Sequence, residues 1–139
     1  MPVDNGNCLL VKVTTDVDSL AEFFGRYGVA LTTGDVASVA ACYALPGMVV
    51  ADSYSFTFSS PAAVALSFLG AAPAYEDQHI VAAHAQLLDV QRLSAALSMV
   101  AVRWEYLDSA GAAVPGESYR YLIRTDADGP RITTVIAAH

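Results

Sequence analysis

Apolar positions early in the chain repeat with the period of a helix. Leu20, Phe23, Phe24, Tyr27 and Leu31 fall on one face. Ser19-Leu20-Ala21-Glu22 has the form of a capping box, which predicts a helix start between Asp16 and Ser19. Gly34 can take the left-handed conformation that ends a helix, and Asp35 can cap a second one directly. Val36, Val39, Ala40 and Tyr43 continue a second helical stripe until Pro46. Ahead of these, Asp4-Asn5-Gly6-Asn7 reads as a turn. Residues 9–13 read as a short strand or a plain lead-in.

The pattern then changes. Met48 to Asp52 and Tyr54 to Phe58 read as two short strands, joined as a hairpin around Asp52-Ser53. Ser60-Pro61 predicts a helix start, and Val64, Leu66, Phe68 and Leu69 fill that helix until Gly70 and Pro73. From Ala74 onward the period is extended. Four long strands are expected: Gln78 to Gln91, Ser98 to Leu107, Glu117 to Thr125, and Arg131 to Ala138. Leu87-Leu88 suggests a bulge or a change of face in the first of them. Three helices with one small hairpin, followed by a run of strands, argue for an α+β domain with helices on one face of an antiparallel sheet.

Composition narrows the class. The 139 residues suit one domain, residues 1–139, with 1–15 as its lead-in. Hydrophobic residues make up 55% and charged residues 15%, which excludes disorder for the bulk of the chain. Seven Lys+Arg against fourteen Asp+Glu leave a net charge of −7, which argues against nucleic acid or an anionic membrane as a partner. The two cysteines, Cys8 and Cys42, are too few for a disulfide framework. The amino-terminal residues show no signal-peptide pattern, so a cytoplasmic location is expected. Six of the seven cations are arginine and alanine is abundant, a bias that suggests a bacterial source.

The pattern resembles the nuclear transport factor 2-like superfamily, and within it the SnoaL-like, polyketide-cyclase-like branch. Four stretches carry the resemblance. They are the opening helix Leu20 to Tyr27 running into Gly34-Asp35, and the segment Tyr43 to Pro46 with the strand Met48 to Asp52. The others are the meander Leu87 to Leu107, and the closing hairpin Tyr119 to Arg124 with Asp128 to Ile132. Pro130 stands where members often carry tryptophan. The resemblance covers roughly residues 16–138. It implies a cone-shaped, curved antiparallel sheet packed against three N-terminal helices, enclosing an apolar cavity. It also implies homodimers paired through the outer face of the sheet. Members include isomerases, dehydratases and cyclases as well as binding modules, so the fold does not select an activity.

The chemistry of the residues is sparse. No phosphate loop, dinucleotide fingerprint, HExxH or nucleophile elbow occurs. His79 and His84 are five apart, which places them on opposite faces of a strand, so no metal site is expected. No cofactor is expected either. Two ionisable residues are candidate catalytic bases. Asp52 ends a strand that the resemblance brings near the cavity mouth, and the alternative is a turn aspartate. His84 lies mid-strand between Ala83 and Ala85, and the alternative is a dimer-interface or structural histidine. Tyr27, Tyr54, Trp104, Tyr119 and Tyr121 are the candidate pocket lining, as flat apolar bodies with polar tips. Arg103, Glu105, Arg120 and Arg124 alternate with these aromatics and belong to the outer face, where Glu105 and Arg120 could pair across strands.

Three functions are consistent with these residues. The first is binding of a small hydrophobic ligand in an apolar pocket, with no reaction assigned. The second is a cofactor-independent isomerase, dehydratase or cyclase acting on a hydrophobic carbonyl compound, with Asp52 or His84 as base. The third is a non-catalytic dimeric interaction module whose interior its own side chains fill. The abundant small residues favour an interior with space in it.

Overall fold

The structure, a computed structural model, describes residues 5–68 and 71–137, with side chains described for 17–68 and 74–137. It opens with a long helix, α1 (Asn5–Thr33), followed by a short α2 (Val36–Ala41). The stripe on α1 is the core face: Leu20, Phe23, Phe24, Tyr27 and Leu31 are all buried. Its start differs from expectation. The helix is continuous from Asn5, so residues 5–7 of the turn expected over Asp4 to Asn7, and residues 9–13, expected as a short strand or lead-in, are helical; Asp4 lies outside the described residues, and Ser19 and Glu22 stand inside the helix. Once a packed stripe holds a helix, each added turn is cheap, so it extends past a local capping signal.

The end of α1 follows the sequence closely. Gly34 has φ +72°, and the Asp35 amide donates to the Ala30 carbonyl at 3.0 Å, the bonding of a glycine-ended helix. Asp35 then caps α2 by accepting from the Ser38 amide and hydroxyl. Tyr43 was expected on this second helical stripe, but α2 ends at Ala41 and Tyr43 opens the first strand.

The first two strands, β1 (Tyr43–Ala51) and β2 (Ser55–Phe58), form the predicted hairpin. Helix α3 (Pro61–Phe68) starts where Ser60 caps the Ala63 amide. Residues 71–77 were expected to close that helix and lead into a strand. Instead they form a separate helix, α4 (Ala71–Asp77), with Pro73 in its first turn, where a missing amide costs nothing. The long strands follow as β3 (Ile80–Arg92), β4 (Leu97–Asp108), β5 (Ala113–Asp126) and β6 (Gly129–Ala137).

The six strands form one sheet in the order β2-β1-β6-β5-β4-β3. Register shifts at Leu87/Asp89, Arg103/Glu105 and Leu122/Ile123 let it curve around α1, and the first lies at the predicted Leu87-Leu88 irregularity. The sheet is not wholly antiparallel, because β1 and β6 run parallel. The chain between β1 and β6 passes through two helices and the whole meander, so no tight turn dictates their relative direction.

Helix α1 crosses the concave face at close range. A Cβ placed on Gly28 would lie 2.6 Å from the Ala83 carbonyl and 3.2 Å from the Trp104 ring, so glycine is what lets the helix lie against β3 and β4. Val100, Val102 and Trp104 of β4 and Tyr121 and Ile123 of β5 are buried on this face, while Arg103, Arg120 and Arg124 are exposed. The expected Glu105–Arg120 pair does not form in this register: Arg120 stands opposite Ala101, and Glu105 opposite Pro115. The bulge at Arg103/Glu105 sets the strands out of step for it. Glu105 accepts from Gln86, which also accepts from Arg103.

Candidate functional site

Period-2 alternation directs Trp104 and Tyr106 of β4, and Tyr119 and Tyr121 of β5, to the same side of the sheet. Helix α1 adds Tyr27 and Leu31 from above. β1 adds Tyr43 and Val49, and the hairpin adds Tyr54, Phe56 and Phe58. Phe68 of α3 and Tyr75 of α4 close a further wall. Together they surround a hollow of about 540 Å³. All seven tyrosines of the chain and its single tryptophan line this one space.

The inner end is closed and internally bonded. Tyr27 and Tyr43 share a hydroxyl–hydroxyl hydrogen bond of 2.7 Å, and the Trp104 indole donates to the Tyr121 hydroxyl at 2.9 Å. Phe24 packs on Trp104 and Tyr121 from behind, and Phe23 stacks on Tyr27. Burial raises the pKa of Tyr27, Tyr43 and Tyr121 above the ordinary phenol value, since the phenolate has no water to solvate it. These phenols are therefore neutral hydrogen-bonding groups at any physiological pH.

The mouth differs in character. Tyr54 is 59% exposed and Phe56 42%, with their rings stacked 8° from parallel. Tyr75 and Tyr106 face each other with ring centroids 5.4 Å apart. Burial raises the pKa of both phenols; their mutual hydrogen bond raises that of Tyr106 further and partly offsets the rise for Tyr75, and the negative Glu117 nearby adds a smaller rise to each. The Glu117 carboxylate accepts from the Tyr119 hydroxyl. Glu117 is the only ionised side chain among the described residues lining the hollow, whose remaining polar side chains, tyrosine and tryptophan aside, are Ser67 and Gln78.

Five lining residues were named from sequence: Tyr27, Tyr54, Trp104, Tyr119 and Tyr121. The structure brings all five to this one hollow. The two candidate bases lie elsewhere. Asp52 is in the exposed turn of the β1–β2 hairpin, after Ala51, whose amide bonds the Tyr54 carbonyl. His84 stands opposite Glu105, on the face of the sheet away from Trp104, and is exposed. It borders a shallow groove between α1 and the edge strand β3, and although its neighbours Ala83 and Ala85 pair with Tyr106 and Trp104, His84 itself is turned to the opposite side of the sheet. Neither lines the hollow.

Several lining residues were missed from sequence. Tyr43 was placed on a helix, and Tyr75 lies in a helix read as extended chain. Glu117 did have a signal, because it is two residues before Tyr119 and four before Tyr121 and so shares their strand face. Cys42 is half-buried, and burial raises its pKa while Arg26 lowers it. It borders a separate hollow of about 640 Å³ whose acids are already engaged, Asp35 with Ser38 and Asp128 with Arg131. Among the described residues no group of three or more His, Cys, Asp or Glu is placed to hold a metal ion.

A long opening helix set in a curved six-stranded sheet, with an aromatic space between them, defines the NTF2-like, cystatin-like class of fold. The family described as NTF2-like protein (DUF6841) matches residues 18–139, and the chain belongs to that family. Solved structures agree on the fold. An NTF2-like protein with a cystatin-like fold from Novosphingobium aromaticivorans superposes with a TM-score of 0.73 at 16% identity, covering 99% of this chain and 90% of that one. An NTF2-like protein of unknown function from Shewanella oneidensis gives 0.65 at 15%, covering 88% and 98%. A ketosteroid isomerase-like protein from Erwinia carotovora atroseptica gives 0.52 at 18%, covering 78% and 84%. No curated protein matches the sequence. No described helix is long and apolar enough to cross a membrane.

Proposed function

We propose that this protein binds a small, flat, largely apolar ligand in the aromatic hollow. The observation that carries the reading is the convergence of every tyrosine and the only tryptophan on one space of about 540 Å³, within the range of small-molecule sites. Rings supply broad apolar contact at low entropic cost, and their hydroxyls orient a ligand. Trp104 is a built-in reporter. Titration with 2-naphthol should give a saturable change in its emission. Tyr54→Ala should weaken that binding several-fold without loss of the fold, because Tyr54 is on the open side. No saturable change in the intact protein would overturn the reading.

Proton-transfer catalysis on a hydrophobic carbonyl compound is the second reading, kept because a ketosteroid isomerase-like protein shares the fold. It requires a base within hydrogen-bond reach of the ligand. Asp52 and His84 lie outside the hollow, so binding is favoured over turnover. An activity that falls in Asp52→Asn or His84→Gln would reverse that order. We also propose a homodimer through the outer sheet face. Leu88 is 53% exposed there and borders a shallow depression with Ala101, Arg120 and Ile136. Light scattering that finds only monomer at high concentration would remove it.

A further inference from the structure

Resting on the ligand-binding reading, we propose that the hollow selects an organic cation: an amine or quaternary ammonium group carried on an apolar body. The argument is a charge inventory. Eleven aromatic side chains line the space, and Glu117 is its only ionised group among the described residues. None of the six arginines lines it, although arginine is the chain's main cation, and the single lysine, Lys12, lies outside the described side chains. A carboxylate, phosphate or sulfonate would therefore find no positive partner here and one negative neighbour. A cation finds the reverse.

The aromatic rings act in the same direction. Each ring face carries partial negative charge and attracts a cation within about 6 Å of its centre. Rings that all lay in one plane direction would offer few faces. Here neighbours are steeply inclined: Tyr43 to Phe58 by 65°, Phe56 to Phe58 by 90°, Tyr75 to Tyr106 by 57°, and Tyr119 to Tyr121 by 62°. Rings inclined in this way turn in several directions instead of one, and all of them border the same hollow, which is the arrangement a cage for an ammonium group draws on. The carboxylate of Glu117 sits beside Tyr119 at the exposed side, where a positive head would arrive, and the net charge of −7 favours its approach. The inner phenols, tied to one another and to the indole, leave the apolar body of the ligand against rings instead of against unpaired charge.

The test uses one shape with three charges: 4-hydroxyphenyltrimethylammonium, its neutral isostere 4-tert-butylphenol, and the anion 4-hydroxybenzenesulfonate. Each is titrated calorimetrically into the intact protein. The cation should bind about tenfold or more tighter than the neutral phenol, and the anion weakest. Glu117→Gln should weaken the cation by roughly two- to fivefold and leave the neutral phenol unchanged, since Glu117 is exposed and its charge is screened. If the neutral phenol binds as well as or better than the cation, the hollow is a ligand site but the cation proposal is overturned. If none of the three binds, the ligand-binding reading falls with it. A cation affinity that Glu117→Gln leaves unchanged would overturn the role given to the carboxylate.

Discussion

The inner and outer ends of the aromatic hollow are made of the same residue type and do different work. Tyr27, Tyr43 and Tyr121 at the inner end are no more than 4% exposed and hydrogen-bond to one another or to Trp104. Tyr54 and Phe56 at the outer end stand open to solvent, and Tyr119 is tied to an exposed carboxylate. A phenol sealed in the core is held by what surrounds it and belongs to the stability of the fold. A phenol at the mouth contributes little to stability and remains available to a ligand. Tyrosine count alone therefore says little about recognition, and depth decides which role each ring takes.

The largest effect should come from the floor of the inner end. Phe24 is fully buried against Trp104 and Tyr121, so Phe24→Ala should destabilise the protein by about 3–5 kcal/mol in urea unfolding. Tyr54→Ala at the mouth should change stability by no more than about 0.5 kcal/mol. Equal losses at the two sites would erase the distinction between floor and rim.

A smaller effect isolates the inner hydrogen bond. Tyr27→Phe leaves the Tyr43 hydroxyl buried without that partner, at a cost of about 1–3 kcal/mol. Adding Tyr43→Phe should recover part of that loss, because both ends of the bond are then gone. Strict additivity of the two substitutions would mean that the hydroxyls do not depend on each other.

Alkaline pH probes the same groups more gently. Burial raises the pKa of Tyr27, Tyr43 and Tyr121 above that of phenols in the unfolded chain, near 10. Above about pH 10 the unfolded state therefore holds fewer protons than the folded one, and stability falls as pH rises. Below that value the protonated phenols contribute in full. Unfolding midpoints followed from pH 8 to 11 should be flat and then decline. A decline that persists unchanged in the Tyr27→Phe/Tyr43→Phe protein would assign it to other groups.

The helical stripe of α1, the Gly34-Asp35 corner, the Ser60-Pro61 start and the alternation of β4 and β5 were legible because each is local. A stripe, a cap or an alternating face is set by residues within a few positions of each other, so the order of residues was enough for the α+β class. The N-terminal extension of α1 to Asn5 and the separate helix at residues 71–77 ran against local signals. There, packing further along the chain or freedom in the first helical turn outweighed a capping motif or a proline.

The site itself was a tertiary result. Tyr43 and Tyr121 are 78 positions apart in the chain yet line one hollow, and only the parallel placement of β6 beside β1 closes the sheet that joins them. Which strand face is concave, and so which ionisable residue borders the hollow, depends on where α1 lies. That placement puts Glu117 at the exposed rim of the hollow and leaves His84 on the far face, although the local pattern of each reads alike as one polar residue in an alternating strand. Periodicity tells which residues share a face, whereas inside and outside exist only once the sheet has curved around its helix.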